Sequence, residues 1–177
     1  MELEGPAGAK GRPICAKCKT GSAPKNAIGD ALAEKLRPNT YDLGIESESD
    51  LKRAALETRI KLIDLNGDGV FEVVAQGMIG CGATGNCAFW VLRDTKEGYE
   101  IILEGTAQTI TIQPSTSNGF RDIVLSTHGP ATSGGLTLYQ YNKKGFYEDV
   151  GSCGYDWTVL EGDKVRELKE PRITPCR

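Results

Sequence analysis

The sequence predicts a mainly β protein with one or two N-terminal helices, its body made of two antiparallel four-stranded repeat units arranged like propeller blades or like the layers of a sandwich. Three observations carry this. After Glu57 the apolar residues leave helical spacing for short β-branched and aromatic runs separated by glycine-bearing turns. The 22 glycines in 177 residues place turns at short intervals, while 39% hydrophobic and 25% charged residues describe a globular chain rather than collagen or disorder. The runs also repeat: Gly69-Val70-Phe71-Glu72-Val73-Val74 falls on Gly119-Phe120-Arg121-Asp122-Ile123-Val124, Phe89–Leu92 on Leu138–Tyr141, and Gly98-Tyr99 on Gly145-Phe146.

Taken in order, residues 1–25 mix Gly and Pro with Lys10, Arg12, Lys17, Lys19 and Lys25, have no helical or strand period, and read as an extended arm. From Asn26 a helix is expected through Ile28, Leu32 and Leu36, ending before Pro38. A second helix should start at Ser47, whose hydroxyl can cap it while Asp50 favours the first turn, with Leu51 and Ala55 facing inward. Strands are expected at Arg59–Asp64, Phe71–Gly77, Ala88–Arg93, Tyr99–Leu103, Thr109–Gln113, Asp122–Thr127, Leu136–Tyr141, Phe146–Val150 and Tyr155–Leu160. Lys96-Glu97-Gly98 and Lys143-Lys144-Gly145 look like hairpin turns. Residues 26–177 then form a single β-rich domain, with helices in 26–57, repeat unit one in 58–106, repeat unit two in 107–152 and a closing segment in 153–177.

The formal net charge of -3 gives no electrostatic footprint for nucleic acid, and no run approaches the ~20 apolar residues of a membrane span. Six cysteines and a single histidine make a zinc site a poor fit, and only one C-x-x-C pair occurs, in Gly/Pro/Lys-rich surroundings. Disulfides suit the pattern better. Cys81 and Cys87 bracket a tight loop and are expected to pair, which would leave Cys153 with Cys176 and Cys15 with Cys18, although sequence alone does not choose among the pairings. Oxidised cysteines imply a secreted or periplasmic protein. Since Met1–Gly5 has no apolar stretch, a signal peptide is expected to have been removed ahead of this sequence, or Met1 to stand over a mature chain.

Asp64-Leu65-Asn66-Gly67-Asp68-Gly69-Val70-Phe71-Glu72 fits D-x-N-x-D-G-x-x-E, which sets oxygen donors at alternate residues of a turning backbone. Calcium takes six to eight oxygen ligands, so this spacing suits it. The expected ligands are the side chains of Asp64, Asn66 and Asp68, the Val70 carbonyl and the Glu72 carboxylate, with Gly69 supplying the sharp turn. A turn of Asp and Asn with no metal is the alternative, at the cost of crowding negative charge. An EF-hand would need a bidentate Glu where Ala75 stands and helices on both sides, whereas Ile60–Ile63 and Val73–Ala75 are strand-like. The run from Ile63 to Gly77 therefore resembles the calcium loop of FG-GAP/VCBS-type repeats, which build integrin-like β-propellers; the likeness is close over this run and loose over residues 58–150. The resemblance implies extracellular exposure, a structural Ca2+ and a role in adhesion or ligand binding rather than catalysis. In the second unit Pro114, Thr116 and Asn118 replace Asp64, Asn66 and Asp68, so one calcium per chain is expected.

His128 follows a strand and precedes a glycine-rich loop, but no nucleophile elbow or comparable signature accompanies it, and no catalytic residue is assigned. Trp90, Tyr139 and Tyr141 read as strand residues of the core or a sheet face. The loops Ile79–Cys87 and His128–Gly135 fall at equivalent places in the repeat, which makes Gly82, Thr84, Asn86, His128, Thr132 and Ser133 the candidate partner surface. The function expected is a non-enzymatic, extracytoplasmic, calcium-stabilised binding or adhesion module for a protein or glycan. An inhibitor or accessory subunit of an extracellular enzyme, or a self-associating surface or filament subunit using the N-terminal arm, is the alternative.

Overall fold

A computed structural model describes residues 47–77, 81–129, 132–174 and 176. The arm expected over 1–25, the helix expected from Asn26 and the Cys15–Cys18 pairing lie outside the described residues. Helix α1 (Glu48–Glu57) opens as its sequence predicts. The Asp50 amide donates to Ser47 Oγ at 3.1 Å, and that hydroxyl donates to Asp50 Oδ2 at 2.6 Å, satisfying one of the orphan amides of the first turn. The side chains of Leu51 and Ala55 lie outside the described set.

Nine strands lie among the described residues: β1 (Arg59–Ile63), β2 (Glu72–Gln76), β3 (Cys87–Thr95), β4 (Gly98–Ala107), β5 (Thr109–Ser117), β6 (Phe120–His128), β7 (Ser133–Tyr141), β8 (Tyr147–Glu161) and β9 (Lys164–Ile173). They form a four-stranded sheet in the order β1-β2-β3-β4 and a five-stranded sheet in the order β5-β6-β7-β8-β9. The mainly β class and the two antiparallel sheets expected from sequence are present, with one strand more in the second sheet.

The described residues fall into two compact units. One takes in α1, the chain to Cys81, and Cys87–Gly105; the other holds Gly82–Asn86 and the chain from Thr106 onward. In the first, β2 is buried along Glu72–Ala75 and β3 along Phe89–Leu92, so the core is a continuous apolar patch on the central strands. In the second, Ile110, Phe120, Ile123, Leu125, Tyr141 and Tyr147 are buried. Phe120 stacks on Tyr141 with centroids 3.9 Å apart, and Tyr147 meets both rings edge-on.

Strand pairing shifts the register expected from the aligned runs. Val73 lies opposite Leu92, and Ile123, its counterpart, lies opposite Tyr139, so Leu92 corresponds to Tyr139 rather than to Tyr141 as the aligned sequence suggests. The cause is the connection between the second and third strands of each sheet, which runs from Gln76 to Cys87 in the first but only from His128 to Ser133 in the second. The sheets also extend past the expected runs. β5 continues through Pro114, which an edge strand tolerates because an amide facing outward has no ladder bond to lose. β8 is one strand where two were expected, and β9 was not foreseen.

Among the described residues two disulfides are formed: Cys81–Cys87, which bracket the tight loop, and Cys153–Cys176, the pair that this was expected to leave. Among the described residues, no helix is long and apolar enough to cross a membrane.

Candidate metal centre

Residues 64–71 connect β1 to β2 as a loop that closes on its own side chains. Both carboxylate oxygens of Asp64 accept main-chain amides, from Gly67 at 2.7 Å and Gly69 at 3.1 Å. Asn66 Oδ1 accepts the Asp68 amide at 3.0 Å, and Asn66 Nδ2 donates to Asp68 Oδ2 at 2.9 Å. Asp68 Oδ1 accepts the Val70 amide at 2.6 Å. Gly67 and Gly69 stand at φ of 76° and 82°, a region that glycine enters without strain, so the motif's two glycines are what let the chain turn this tightly.

Glu72 closes the loop from inside. It is the first residue of β2 and only 2% exposed, and it accepts the Leu65 amide at 2.8 Å. Burial pushes its carboxyl up to about 7; the amides of Leu65 and of Glu72 itself hold it back, and the negative charges of Asp68 and Asp64 add to the rise. Among the described residues no Lys or Arg pairs with it.

The donor set suits a hard cation: carboxylates, an amide oxygen and the Val70 carbonyl, with no sulfur or imidazole. A carboxylate oxygen that accepts one amide keeps a second lone pair, so the hydrogen bonds that shape the loop do not exhaust Asp64 or Asp68. A buried carboxylate with raised proton affinity is a position where a positive charge would be stabilising. The loop's carboxylates turn to its own amides, and among the described residues no three His, Cys, Asp or Glu side chains are grouped to hold a metal.

The second sheet carries a counterpart. Asp122, matched to Glu72 in the repeat, is 3% exposed, and its Oδ2 accepts from Ser115 Oγ at 2.7 Å, where Glu72 accepts from the Leu65 amide. Ser115 and Leu65 are themselves matched in the repeat. Each sheet therefore buries one acid at the aligned position, bonded to main chain in the first and to a hydroxyl in the second, and Asp122 Oδ1 is left without a hydrogen bond among the described residues. Here the loop is replaced by a strand with a bulge between Ile112 and Thr116 and a two-residue Asn118-Gly119 turn, with φ of 48° and 86°. The Asn-Gly pair is a hairpin-turn signal legible in the sequence, which the expected strands did not use.

The residues of the candidate partner surface are held by internal bonds. Asn86 donates to the His128 carbonyl at 2.7 Å and accepts the His128 amide at 2.9 Å, so its side chain pairs with that residue as a neighbouring strand would. Thr84 Oγ1 accepts from Asn86 Nδ2 at 2.8 Å, and Gly82 donates its amide to the Asn86 carbonyl at 2.9 Å. Thr132 Oγ1 meets Thr158 Oγ1 at 2.7 Å. His128 and Ser133 belong to β6 and β7, with His128 opposite Gly134, so the wide loop expected over 128–135 narrows to a short connection. Met78, Ile79, Gly80, Pro130 and Ala131 lie outside the described residues. Trp90 is buried, and burial together with Asp149 raises the Tyr139 hydroxyl.

No family model, no curated protein and no solved structure matches this chain.

Proposed function

We propose that the chain is an extracytoplasmic binding module in which the Asp64–Glu72 loop holds one calcium ion as a structural pin, similar to the loops of FG-GAP/VCBS-type repeats. The observation that carries this reading is Glu72: a carboxylate 2% exposed, at the inner wall of an oxygen-rich loop between two strands, with two further acids beside it and no Lys or Arg partner among the described residues. Asp64, Asn66 and Asp68 through side chains, Val70 through its carbonyl and Glu72 through its carboxylate would hold the ion. Calcium supplies no reaction here; it offsets the loop's negative charge and joins β1 to β2. The two disulfides suit a secreted or periplasmic protein.

The same reading takes the Asn86 side chain, which bonds both the carbonyl and the amide of His128, as a fixture that steadies the loops of a binding module. An ion that binds only the folded state stabilises it by mass action, about 2.7 kcal/mol at a hundred times Kd. Thermal melts with and without chelator should therefore differ for the wild type and coincide for Asp68→Ala. A wild-type melting temperature that ignores both calcium and chelator would remove the metal from this reading.

A further inference from the structure

At one end of the five-stranded sheet two turns come together, the Asn118-Gly119 turn between β5 and β6 and the 142–146 turn between β7 and β8. Both are rigidly built. Asn118 Nδ2 donates to the Tyr141 carbonyl at 2.7 Å, tying the first turn to the end of β7. The buried Asn142 organises the second: its Oδ1 accepts the Lys144 amide at 2.8 Å and the Phe146 amide at 3.4 Å, and its Nδ2 donates to Glu148 at 3.1 Å. Tyr141, stacked on Phe120, lies beneath.

Between these turns is a groove of about 540 Å3 lined by Ser117, Asn118, Gln140, Lys143, Lys144 and Glu148, with Tyr141 and Asn142 below them. This volume falls in the ~300–1,000 Å3 range of small-ligand sites. Its lining is unusual for this acidic chain. Two exposed lysines stand side by side on a fixed turn, and neither has an ion-pair partner among the described residues. Around them are a hydroxyl and two amides, which can donate and accept hydrogen bonds, and one carboxylate, which accepts them. The only aromatic ring in the lining is buried, so the groove offers no apolar anchor of the kind that dominates protein interfaces. The chain's net charge of -3 disfavours a long nucleic-acid polyanion.

We propose that this groove binds an acidic oligosaccharide, with carboxylate or sulfate groups on Lys143 and Lys144 and sugar hydroxyls on Ser117, Asn118, Gln140 and Glu148. A lysine ammonium is a point charge that accepts either anion, so its chemistry is shared by uronate-bearing and sulfated glycans. Gln140 is steadied from below by its Nε2 contact to the buried Asp122 at 3.4 Å. The proposal rests on reading the chain as a binding module, and it gives that reading a ligand class.

Isothermal titration of the calcium-loaded protein with a galacturonate tetramer, a sulfated chondroitin tetramer and neutral maltotetraose tests it. At least one acidic tetramer should bind, more weakly as salt is raised, and maltotetraose should not; which acid binds tells uronate from sulfate. In the double variant Lys143→Gln/Lys144→Gln affinity should fall about tenfold or more. Asn118→Gly, which keeps the left-handed turn and removes one amide, should weaken binding less. Thermal melts of each variant with and without calcium confirm that the fold and the metal loop are intact, so a failure of the groove is distinguishable from a failure of the calcium reading. No binding of either acidic tetramer by folded wild type, or equal binding by the double variant, would overturn the proposal.

Discussion

Raising the pH of the calcium-free protein should destabilise it over one interval, and Glu72 sets that interval. Its carboxyl is raised from 4.5 to about 7 in the folded chain, first by burial and then by Asp68 and Asp64, against the opposing amides of Leu65 and Glu72. The folded state therefore binds this proton more tightly than the unfolded state. The sign follows: the contribution is fully present below about 4.5 and is lost as pH rises through about 7. At 1.36 kcal/mol for each tenfold change in proton affinity, the loss is about 3 kcal/mol. Glu72→Gln keeps an acceptor for the Leu65 amide but cannot ionise. Urea unfolding in metal-depleted buffer from pH 4.5 to 8, followed by tryptophan fluorescence, should give a wild type that falls below Glu72→Gln by about 3 kcal/mol at the alkaline end. Saturating calcium should restore the wild type and leave the variant behind. Parallel pH curves for the two proteins would show that Glu72 is not a desolvated acid, and the reasoning would fail at its first step.

Asn86→Ala removes both hydrogen bonds to the His128 main chain and should cost about 1–3 kcal/mol, measured as a lowered urea midpoint with an unchanged slope; Asn86→Asp should not rescue it, because a carboxylate oxygen would then face the His128 carbonyl. Gly134→Ala should destabilise by about 3 kcal/mol or fail to fold, because a Cβ there would overlap the phenol end of Tyr155 and press on the Thr127 carbonyl, whereas Gly135→Ala, where the nearest atom is the Thr127 hydroxyl at 3.1 Å, should be milder on the same denaturation curve.

Much of the fold was legible because most strands are short β-branched and aromatic runs bounded by glycine-bearing turns, and because the turns Lys96-Glu97-Gly98 and Lys143-Lys144-Gly145 hold their own signals. The cap at Ser47 and the Cys81–Cys87 bridge were likewise local features. β9 was invisible for a physical reason. Lys164–Ile173 is an edge strand with nearly every residue exposed, and its alternating charges protect the open edge instead of marking a buried face. β8 was divided by Gly151-Ser152-Cys153-Gly154, which reads as a turn until Gly154 is seen against Thr174, in the segment stapled by Cys153–Cys176. In the metal loop the residue types and the glycine turns were readable. The depth of Glu72, its bond to Leu65, and the parallel between Glu72 and Asp122 depend on strand pairing, which no local pattern contains.

Calcium in the Asp64–Glu72 loop is tested most directly by calorimetric titration of calcium into metal-depleted protein at pH 7.5, for wild type and Asp68→Ala. One site per chain in the wild type and none in the variant is the expected result. A wild type that releases or absorbs no heat of binding, or a variant that binds as the wild type does, would contradict it.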